Sequence, residues 1–235
     1  MLSEHLKNYN IIAVIPARGG SKGVPRKALQ MLGDIPLIAY TIRDALSIQN
    51  ITKVFVSTDD LEIQAVSIEY GAEVPFLRPS ELAQDNSMLE DALKYSLGWY
   101  RDHERFIPDI EIIMSPTHPF RRQNLINDAL KRGIDNPDIF NLGSVSPVKV
   151  MPGNYWIKKN KTFQRFQFPV TGSPGQRPVY QSAFSFNIVF DCRPDLVNRR
   201  IPIALNEIES IDIDEPDDFE IARMVISKGL YPFHE

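Results

Sequence analysis

The sequence predicts an α/β fold with a largely parallel sheet flanked by helices, and three observations support this prediction. Apolar, β-rich runs alternate with segments of helical period from about residue 10 to residue 150. The first run, IIAVIP, lacks the polar alternation of a half-exposed strand and is typical of a strand covered on both faces. Glycine-rich or charged loops follow these runs, where ligands of such sheets bind. We therefore expect one domain, residues 1–235, with right-handed crossovers.

The strands are predicted by their composition. After IIAVIP, the runs ITKVFVST, DIEIIMSP and FNLGSVSPV are apolar and rich in β-branched residues. The segment AEVPFL is expected to be a short edge strand, because Pro75 cannot donate a ladder hydrogen bond.

The helices are predicted by period and by their end signals. PLIAYTIRDALS has apolar residues at helical spacing, with Pro36 at the first helical position. LEIQAVSIEY is expected to be capped by Asp59 or Asp60 and ended by Gly71. MLEDALKYSLGWY and QNLINDALKRGI are the remaining helices of this part of the chain.

The alternation breaks between residues 149 and 180, where aromatic residues, glycines, prolines and six Lys/Arg occur without a helical period. We interpret this segment as a β-hairpin excursion, or arm; a disordered surface loop is the alternative. Its aromatic residues favour packing against another surface, such as a second subunit. They are Tyr155, Trp156, Phe163, Phe166 and Phe168.

Composition limits the partners. Lys+Arg is 26 against Asp+Glu 30, a net charge of −4, so nothing predicts bulk binding to nucleic acid or to an anionic membrane. The single cysteine, Cys192, permits no internal disulfide and is interpreted as a packing residue. No run approaches the roughly 18 apolar residues of a membrane span, and the N-terminus lacks the pattern of a signal peptide. We expect a cytoplasmic protein.

The loop ARGGSKGVPRK, Ala17–Lys27, carries the strongest chemical signal. A glycine-rich turn after a strand lets backbone N–H groups approach an anion closely. Arg18, Lys22, Arg26 and Lys27 add four cations, which suits a polyphosphate. The loop matches neither of the common glycine-rich phosphate motifs, so a solvated surface turn is the alternative.

Two carboxylates near the C-terminus predict a metal site. Alternation in an extended DID segment places Asp212 and Asp214 on one side, about 7 Å apart at Cα, so both can face one cation. Magnesium accepts one or two carboxylates and completes its octahedron with water and phosphate oxygens. The alternative is a solvated turn in which Asp214 caps the helix that begins at Glu215.

The longer string ARGGSKGVPRK resembles the signature of the CMP-sialic acid synthetases, or acylneuraminate cytidylyltransferases, a group of CMP-nonulosonic acid synthetases. Similar blocks follow in order: PLIAYTI, VSTDD, YGAEVPFLRPSELAQD, SPTHPFR and SIDIDEPDD, within residues 11–228. The resemblance implies a Rossmann-like, glycosyltransferase-A-like nucleotide-diphospho-sugar transferase fold. It implies magnesium-dependent transfer of CMP from CTP to a nonulosonic acid, whose anomeric hydroxyl attacks the α-phosphorus and releases pyrophosphate.

The resemblance also implies residue roles. Arg18 matches the arginine that contacts the triphosphate, Lys27 the lysine beside the reaction centre, and Asp212 and Asp214 the metal ligands; Arg18, Lys27 and Asp214 are the implied catalytic residues. Arg78 matches an arginine near the base, with a surface salt bridge as the alternative. The other implied nucleotide-binding residues are Ala17, Gly19, Gly20, Ser21 and Lys22, and the implied sugar-binding residues are Ser115 and Asn187.

Four polar residues near these motifs are given no catalytic or substrate-binding role. Asp59 and Asp60 are expected only to cap a helix, and His118 is assigned no role. Arg121 matches a family arginine, for which an interface role and a structural role are equally open.

The differences from the family pattern cluster at positions that would contact the base and the sugar. Ala28 replaces an asparagine, Leu89 a small hydroxyl residue and Ser115 a glutamine, while Ser185 stands where an arginine is common. These changes indicate a different acid sugar, such as a legionaminic or pseudaminic acid, or an altered nucleotide preference. Other interpretations are a sugar nucleotidyltransferase that uses a sugar phosphate, and a nucleotide-binding homologue with little catalysis.

The resemblance also implies a homodimer, because members of this family pair their subunits through an excursion at the position of the arm, residues 149–180. We expect Trp156 and Phe166 to lose solvent exposure on pairing. One or more of four basic residues of the arm would then lie near the partner subunit's sugar and compensate for the arginine missing at Ser185. They are Lys158, Lys159, Lys161 and Arg165.

Overall fold

The computed structural model describes residues 8–20, 23–122, 124–147, 156–159, 162–165, 180–190 and 200–231, with the backbone alone for 156–159 and 162–165. Ten strands lie in these ranges: β1 Ile11–Pro16, β2 Met31–Leu32, β3 Ile35–Pro36, β4 Lys53–Ser57, β5 Ile110–Met114, β6 Asn141–Pro147, β7 Trp156–Lys159, β8 Thr162–Arg165, β9 Tyr180–Phe190 and β10 Arg200–Ala204. Five α-helices lie there too: α1 Leu37–Leu46, α2 Leu61–Glu69, α3 Leu89–Glu104, α4 Leu125–Asp135 and α5 Pro216–Ser227.

Six strands form the main sheet in the order β10-β6-β9-β5-β1-β4. Strand β1 runs parallel to β4 and β5, and β10 runs parallel to β6. Strand β9 lies between β5 and β6 and is antiparallel to both. The predicted α/β class with a largely parallel sheet is therefore confirmed, and β9 and β10 extend the sheet beyond the predicted strands.

The core explains why β1 is one continuous apolar run. Ile11, Ala13 and Ile15 pack on the side of the sheet covered by α1 and α4. Ile12 and Val14 point to the other side, where they join a cluster that includes side chains of α3. Both faces of the central strand are therefore buried, as in other parallel sheets.

Two local predictions are wrong. The segment AEVPFL makes a single bridge, between Glu73 and Phe55, and continues as an irregular chain that includes Pro75. Pro36 is extended, with φ −65° and ψ 149°, and precedes α1 instead of starting it. Of the two candidate caps for α2, Asp60 accepts hydrogen bonds from the first-turn amides.

Strands β7 and β8 pair antiparallel in a two-stranded sheet within the predicted arm. This agrees with the expected β-hairpin, whereas the side chains of the hairpin and the positions of Phe166 and Phe168 lie outside the described residues. Cys192 lies outside them as well. Within the described ranges, the helices are all too short or too polar to cross a membrane.

Candidate active site

A cleft of about 590 Å³ opens at the carboxyl end of the sheet. The loops that follow β1 and β5 line it, together with the segment before α3 and the segment before α5. Seven of the predicted site residues contribute to its lining: Ala17, Arg18, Gly20, Lys27, Arg78, Ser115 and Asp214. The fold thus brings together loops that are far apart in the chain.

Lys27 and Asp214 form the central charge pair of the cleft. The Lys27 Nζ atom lies 2.8 Å from Asp214 Oδ1, although the two residues are 187 positions apart. The ammonium group also donates to the carbonyl oxygen of Ile213. The Lys27 side chain is 13% exposed and that of Asp214 is 68% exposed. The lysine is therefore largely enclosed by protein, whereas the carboxylate faces solvent.

Gly23 allows the glycine-rich loop to pack against the DID segment. A Cβ atom at this position would lie 2.0 Å from the Asp214 carbonyl oxygen, far inside van der Waals contact. The obstacle is backbone and cannot rotate away, so only glycine fits here.

We expect Gly23→Ala to displace this loop or Asp214 by about an ångström and to lower kcat/KM for CTP, the substrate that the resemblance implies, by about 100-fold. Gly98→Ala is the matched control, because the added Cβ lies 3.9 Å from its nearest neighbour, the end of the Arg101 side chain. Steady-state pyrophosphate release measures both variants. Wild-type kinetics for Gly23→Ala would show that the close approach has no bearing on the site.

The loop after β5 holds Asp212. The Thr117 hydroxyl donates to Asp212 Oδ1, and the Nδ1 atom of His118 lies 3.4 Å from the same oxygen. Burial lowers the pKa of His118 to about 4, so this imidazole is neutral at pH 7. Thr117 lines the cleft, whereas Asp212 lies outside its lining, with a side chain that is 43% exposed.

The helix after the DID segment has its own cap. Glu215 and Asp218 form a capping box at the start of α5, and the Asp218 side chain also accepts from the Asp214 amide. The alternative in which Asp214 caps this helix is therefore wrong.

Of the four cations in the glycine-rich loop, Arg18 and Lys27 line the cleft. Arg26 has φ 51° and pairs with Asp60 and Glu62, each at 2.9 Å. Its charge is compensated at the start of α2. Lys22 and its neighbour Ser21 lie outside the described residues.

Two aspartates hold the beginning of this loop. Asp85 Oδ1 lies 2.8 Å from Arg18 Nη1 across the cleft. Asp59 Oδ1 accepts a hydrogen bond from the Gly19 amide at 2.9 Å. The expected capping role of Asp59 is therefore wrong: Asp60 caps α2, and Asp59 fixes the backbone turn. Gly19 itself does not line the cleft.

Arg78 is buried, which overturns the surface salt-bridge alternative. Its Nε atom donates to Ser57 Oγ at 3.1 Å, and its Nη2 atom donates to the Ser57 carbonyl oxygen. Burial lowers the pKa of this guanidinium, although the charge of Asp59 opposes that effect. Arg78 therefore connects the end of β4 to the wall of the cleft.

Arg121 has the structural role, not the interface role. Its guanidinium donates to the carbonyl oxygens of Ser115 and Ser185, at 2.6 and 2.9 Å, and to Asp44 Oδ2 at 3.1 Å. It thereby joins β5, β9 and α1 beneath the cleft.

We expect Arg121→Leu to lower the free energy of unfolding by about 3–5 kcal/mol, because the nearly buried Asp44 carboxylate loses its ion pair with this guanidinium. Urea denaturation measures the loss. Arg132→Leu, on the exposed side of α4, removes the same charge and should change stability by less than about 0.5 kcal/mol. Equal stabilities of the two variants would refute the structural role.

Asn187 lies in a second cleft, apart from Ser115. This cleft of about 490 Å³ lies over β5, β9 and β6 and shares Leu89 with the first. Ser185 is fully buried and lines neither cleft. The side chains of the arm lie outside the described residues, so the expectation that its cations compensate for the arginine missing at Ser185 stays a prediction.

Sequence reasoning missed the segment before α3. Ala83, Gln84, Asp85 and Ser87 line the first cleft opposite the glycine-rich loop. The polar run at residues 84–87 begins six positions after Arg78, and this run was the available signal in the sequence.

Comparisons with known proteins agree with this geometry. A sequence-family model described as cytidylyltransferase matches residues 12–107. The CMP-N,N'-diacetyllegionaminic acid synthase of Legionella pneumophila is 32% identical over 232 residues, covering 92% of this chain and 96% of that protein. The N-acylneuraminate cytidylyltransferase of Escherichia coli is 44% identical over 121 residues, covering 52% of this chain and 27% of that protein.

A solved structure extends the comparison to the fold. CMP:2-keto-3-deoxy-manno-octonic acid synthetase, in complex with CTP, superposes with a TM-score of 0.70 at 18% identity, covering 94% of this chain and 99% of that one. The sequence relatives and the cleft at the carboxyl end of the sheet lead to one conclusion: the chain belongs to the cytidylyltransferase family, among the CMP-nonulosonic acid synthetases.

Proposed function

We propose that this protein transfers the cytidylyl group of CTP to a nonulosonic acid and releases pyrophosphate. The observation that carries the proposal is the approach of Lys27 to Asp214 in the first cleft, with Arg18 on the same wall. Nucleotidyl transfer requires positioned positive charge and little covalent help from the protein. Lys27 and Arg18 supply such positive charge in this cleft.

In this proposal Arg18 and Lys27 hold the triphosphate. The backbone of Ala17, Gly20 and the intervening turn approaches the phosphates, and Arg78 lies beside the base. The sugar's anomeric oxygen forms a bond to the α-phosphorus as the bond to the bridging oxygen breaks, and that electron pair leaves with pyrophosphate. Lys27 compensates the negative charge that develops during this exchange.

Magnesium is the proposed metal, with Asp212 and Asp214 as its protein ligands. No cluster of three or more potential ligand side chains occurs in the described part of the chain. Two partly exposed carboxylates nevertheless suit magnesium, which keeps several waters and takes phosphate oxygens. When bound, the ion would neutralise phosphate charge and polarise the reacting centre.

A pyrophosphate-release screen tests the function. CTP, UTP, GTP and ATP are each combined with a panel of nonulosonic acids, with and without magnesium. We expect release with CTP, an acid sugar and magnesium together, a reaction that we place in the cytoplasm. Preference for another nucleotide would replace the cytidylyl assignment, and CTP binding without release for any sugar would indicate a binding homologue.

We also propose a homodimer that pairs through the hairpin of β7 and β8. The hairpin forms a two-stranded sheet separate from the main sheet. Such a hairpin is marginally stable in water on its own, so contact with a further surface would stabilise it. A twofold, isologous contact with a second copy is the commonest arrangement of this kind.

We expect sedimentation at micromolar concentration to give a dimer, and Trp156→Asp or Phe166→Asp to shift it toward monomer, because a charge is costly in an apolar interface. Wild-type sedimentation as a monomer would refute the dimer. Dimers that persist in both variants would place the interface elsewhere.

A further inference from the structure

We infer that Arg26 is a positioning residue for the reaction: its left-handed backbone conformation, held by ion pairs to the start of α2, directs the Lys27 side chain to Asp214. The inference rests on the proposed function. In it, Arg26 makes no contact with the substrate and acts only through the placement of Lys27.

Two core clusters fix the chain on either side of Arg26. Val24, two residues before it, packs in the buried cluster that contains Ile213. Ala28, two residues after it, packs in the separate cluster that contains Ile38 of α1. The chain therefore passes from one cluster to the other within four residues, and Arg26 lies at the middle of this passage.

The backbone turns at Arg26 by adopting the left-handed conformation. Its φ is 51° and its ψ is 38°, a region that residues with a Cβ atom rarely adopt and that glycine adopts freely. A short 3₁₀ helix, Lys27–Leu29, begins directly after it, and the Arg26 carbonyl oxygen accepts from the Leu29 amide at 2.9 Å. Lys27 is the first residue of this turn, so the backbone of Arg26 sets the direction in which the Lys27 side chain leaves the chain.

The Arg26 side chain holds this conformation in place. Its Nη2 atom donates to both carboxylate oxygens of Asp60, at 2.9 and 3.1 Å, and lies 2.9 Å from Glu62 Oε2. Asp60 is itself fixed, because its Oδ1 atom accepts from the amides of Glu62 and Ile63 in the first turn of α2. The guanidinium is thus tied to an ordered helix terminus, and this attachment offsets the unfavourable backbone conformation.

The surroundings of Arg26 argue against a direct contact with phosphate. Arg26 does not line the first cleft, whereas its neighbour Lys27 does. Two carboxylates already compensate the charge of its guanidinium, which weakens the attraction of that charge for a further anion. A role through the backbone therefore fits the geometry better than a role through the charge.

Three substitutions separate conformation from charge. Arg26→Gly removes the charge and adopts the left-handed conformation without strain, whereas Arg26→Ala and Arg26→Val remove the charge and keep a Cβ atom. In steady-state pyrophosphate release with CTP and an acid sugar, we expect kcat to fall by about 10-fold for Arg26→Ala and about 30-fold for Arg26→Val. Arg26→Gly should stay within about threefold of wild type, and KM for CTP should change by less than about twofold in all three variants.

A second measurement follows the position of Lys27 without any turnover. Reductive methylation, read by peptide mass spectrometry, gives the rate at which each lysine reacts. The Lys27 side chain, which is 13% exposed, should react slowly in the wild type and in Arg26→Gly, and about fivefold faster in Arg26→Ala and Arg26→Val, because an enclosed amine reacts only when its surroundings open. The exposed Lys131 is the internal reference.

Arg105 provides a conformationally matched control. It is also a left-handed arginine, with φ 56°, and it is exposed. It follows the last turn of α3, a helix about 24 Å long whose first residue, Leu89, lines the cleft. Arg105→Ala makes the same change as Arg26→Ala and should leave kcat and the methylation rate of Lys27 unchanged.

Asp60→Asn tests the ion pair separately from the backbone. The asparagine keeps the oxygen that caps α2 and loses the charge that pairs with Arg26. We expect kcat to fall by about threefold in the wild-type background and not to fall further in the Arg26→Gly background, where no guanidinium remains to be held. This cycle keeps the test sharp if Arg26→Val folds poorly.

The outcomes separate the inference from the proposed function. If Arg26→Gly lost as much kcat as Arg26→Ala, the charge and not the conformation would matter, and the inference would be overturned. Wild-type kcat and methylation in Arg26→Ala and Arg26→Val, or a raised KM for CTP at unchanged kcat, would also overturn it. Absence of pyrophosphate release from the wild type with every sugar would refute the proposed function, and the methylation rates would then decide whether Arg26 positions Lys27.

Discussion

Asp214→Asn is expected to lower kcat by about 10³-fold while leaving the fold intact, a loss on the scale of removing electrostatic stabilisation from a transferring phosphoryl group. The carboxylate is exposed to the cleft and pairs with Lys27 at 2.8 Å. The amide keeps the shape but loses the charge that magnesium would bind. We expect a higher magnesium concentration for half-maximal activity, measured by pyrophosphate release, and an unchanged urea midpoint.

Two comparisons sharpen this result. Asp212→Asn should have a smaller effect, because the Asp212 Oδ1 atom already accepts from the Thr117 hydroxyl and the residue lies outside the cleft lining. Asp217→Asn removes one exposed carboxylate from the first turn of α5 and should leave turnover unchanged. Near-normal turnover in Asp212→Asn, in Asp214→Asn and in their double variant would exclude the metal assignment.

Lys27→Ala is expected to lower kcat for CTP by about 10²- to 10³-fold. The Lys27 ammonium group is largely enclosed, between Asp214 and the Ile213 carbonyl oxygen, so water compensates poorly for its loss. Because its charge acts most strongly as phosphate charge develops, kcat should fall more than KM rises. Arg18→Ala should instead raise KM for CTP as well, since a guanidinium at the cleft wall binds the ground-state triphosphate too.

Lys131→Ala is the control for Lys27→Ala. Lys131 also forms an ion pair, with Asp135, but on the exposed side of α4. We expect it to have wild-type kinetics. Lys22→Ala should be milder than Lys27→Ala; if it proved the most damaging of the three loop substitutions, Lys27 would not be the lysine beside the reaction centre.

The strands and helices of the first part of the chain could be predicted because their signals are local. The run IIAVIP, the helical period of α1 and the capping aspartate of α2 lie within a few residues of the structure they specify. The irregular course of AEVPFL could not be predicted in this way. The number of its residues that pair with β4 depends on the path of the chain after Glu73. Strand β9 was missed for a related reason: its burial pattern is set by neighbours on two sides.

The features of the site also fall into two groups, those set by the local sequence and those set by the tertiary structure. The sequence alone determined which loop carries cations and glycines and which segment carries paired carboxylates, because these are matters of residue type and spacing. Tertiary structure alone decided that Arg26 turns to Asp60 and Glu62, and that Asp59 holds the Gly19 amide. It also decided that Asn187 faces a different cleft from Ser115. A charge has no fixed partner in the chain, and its partner is set by which loops the sheet order brings to the same edge.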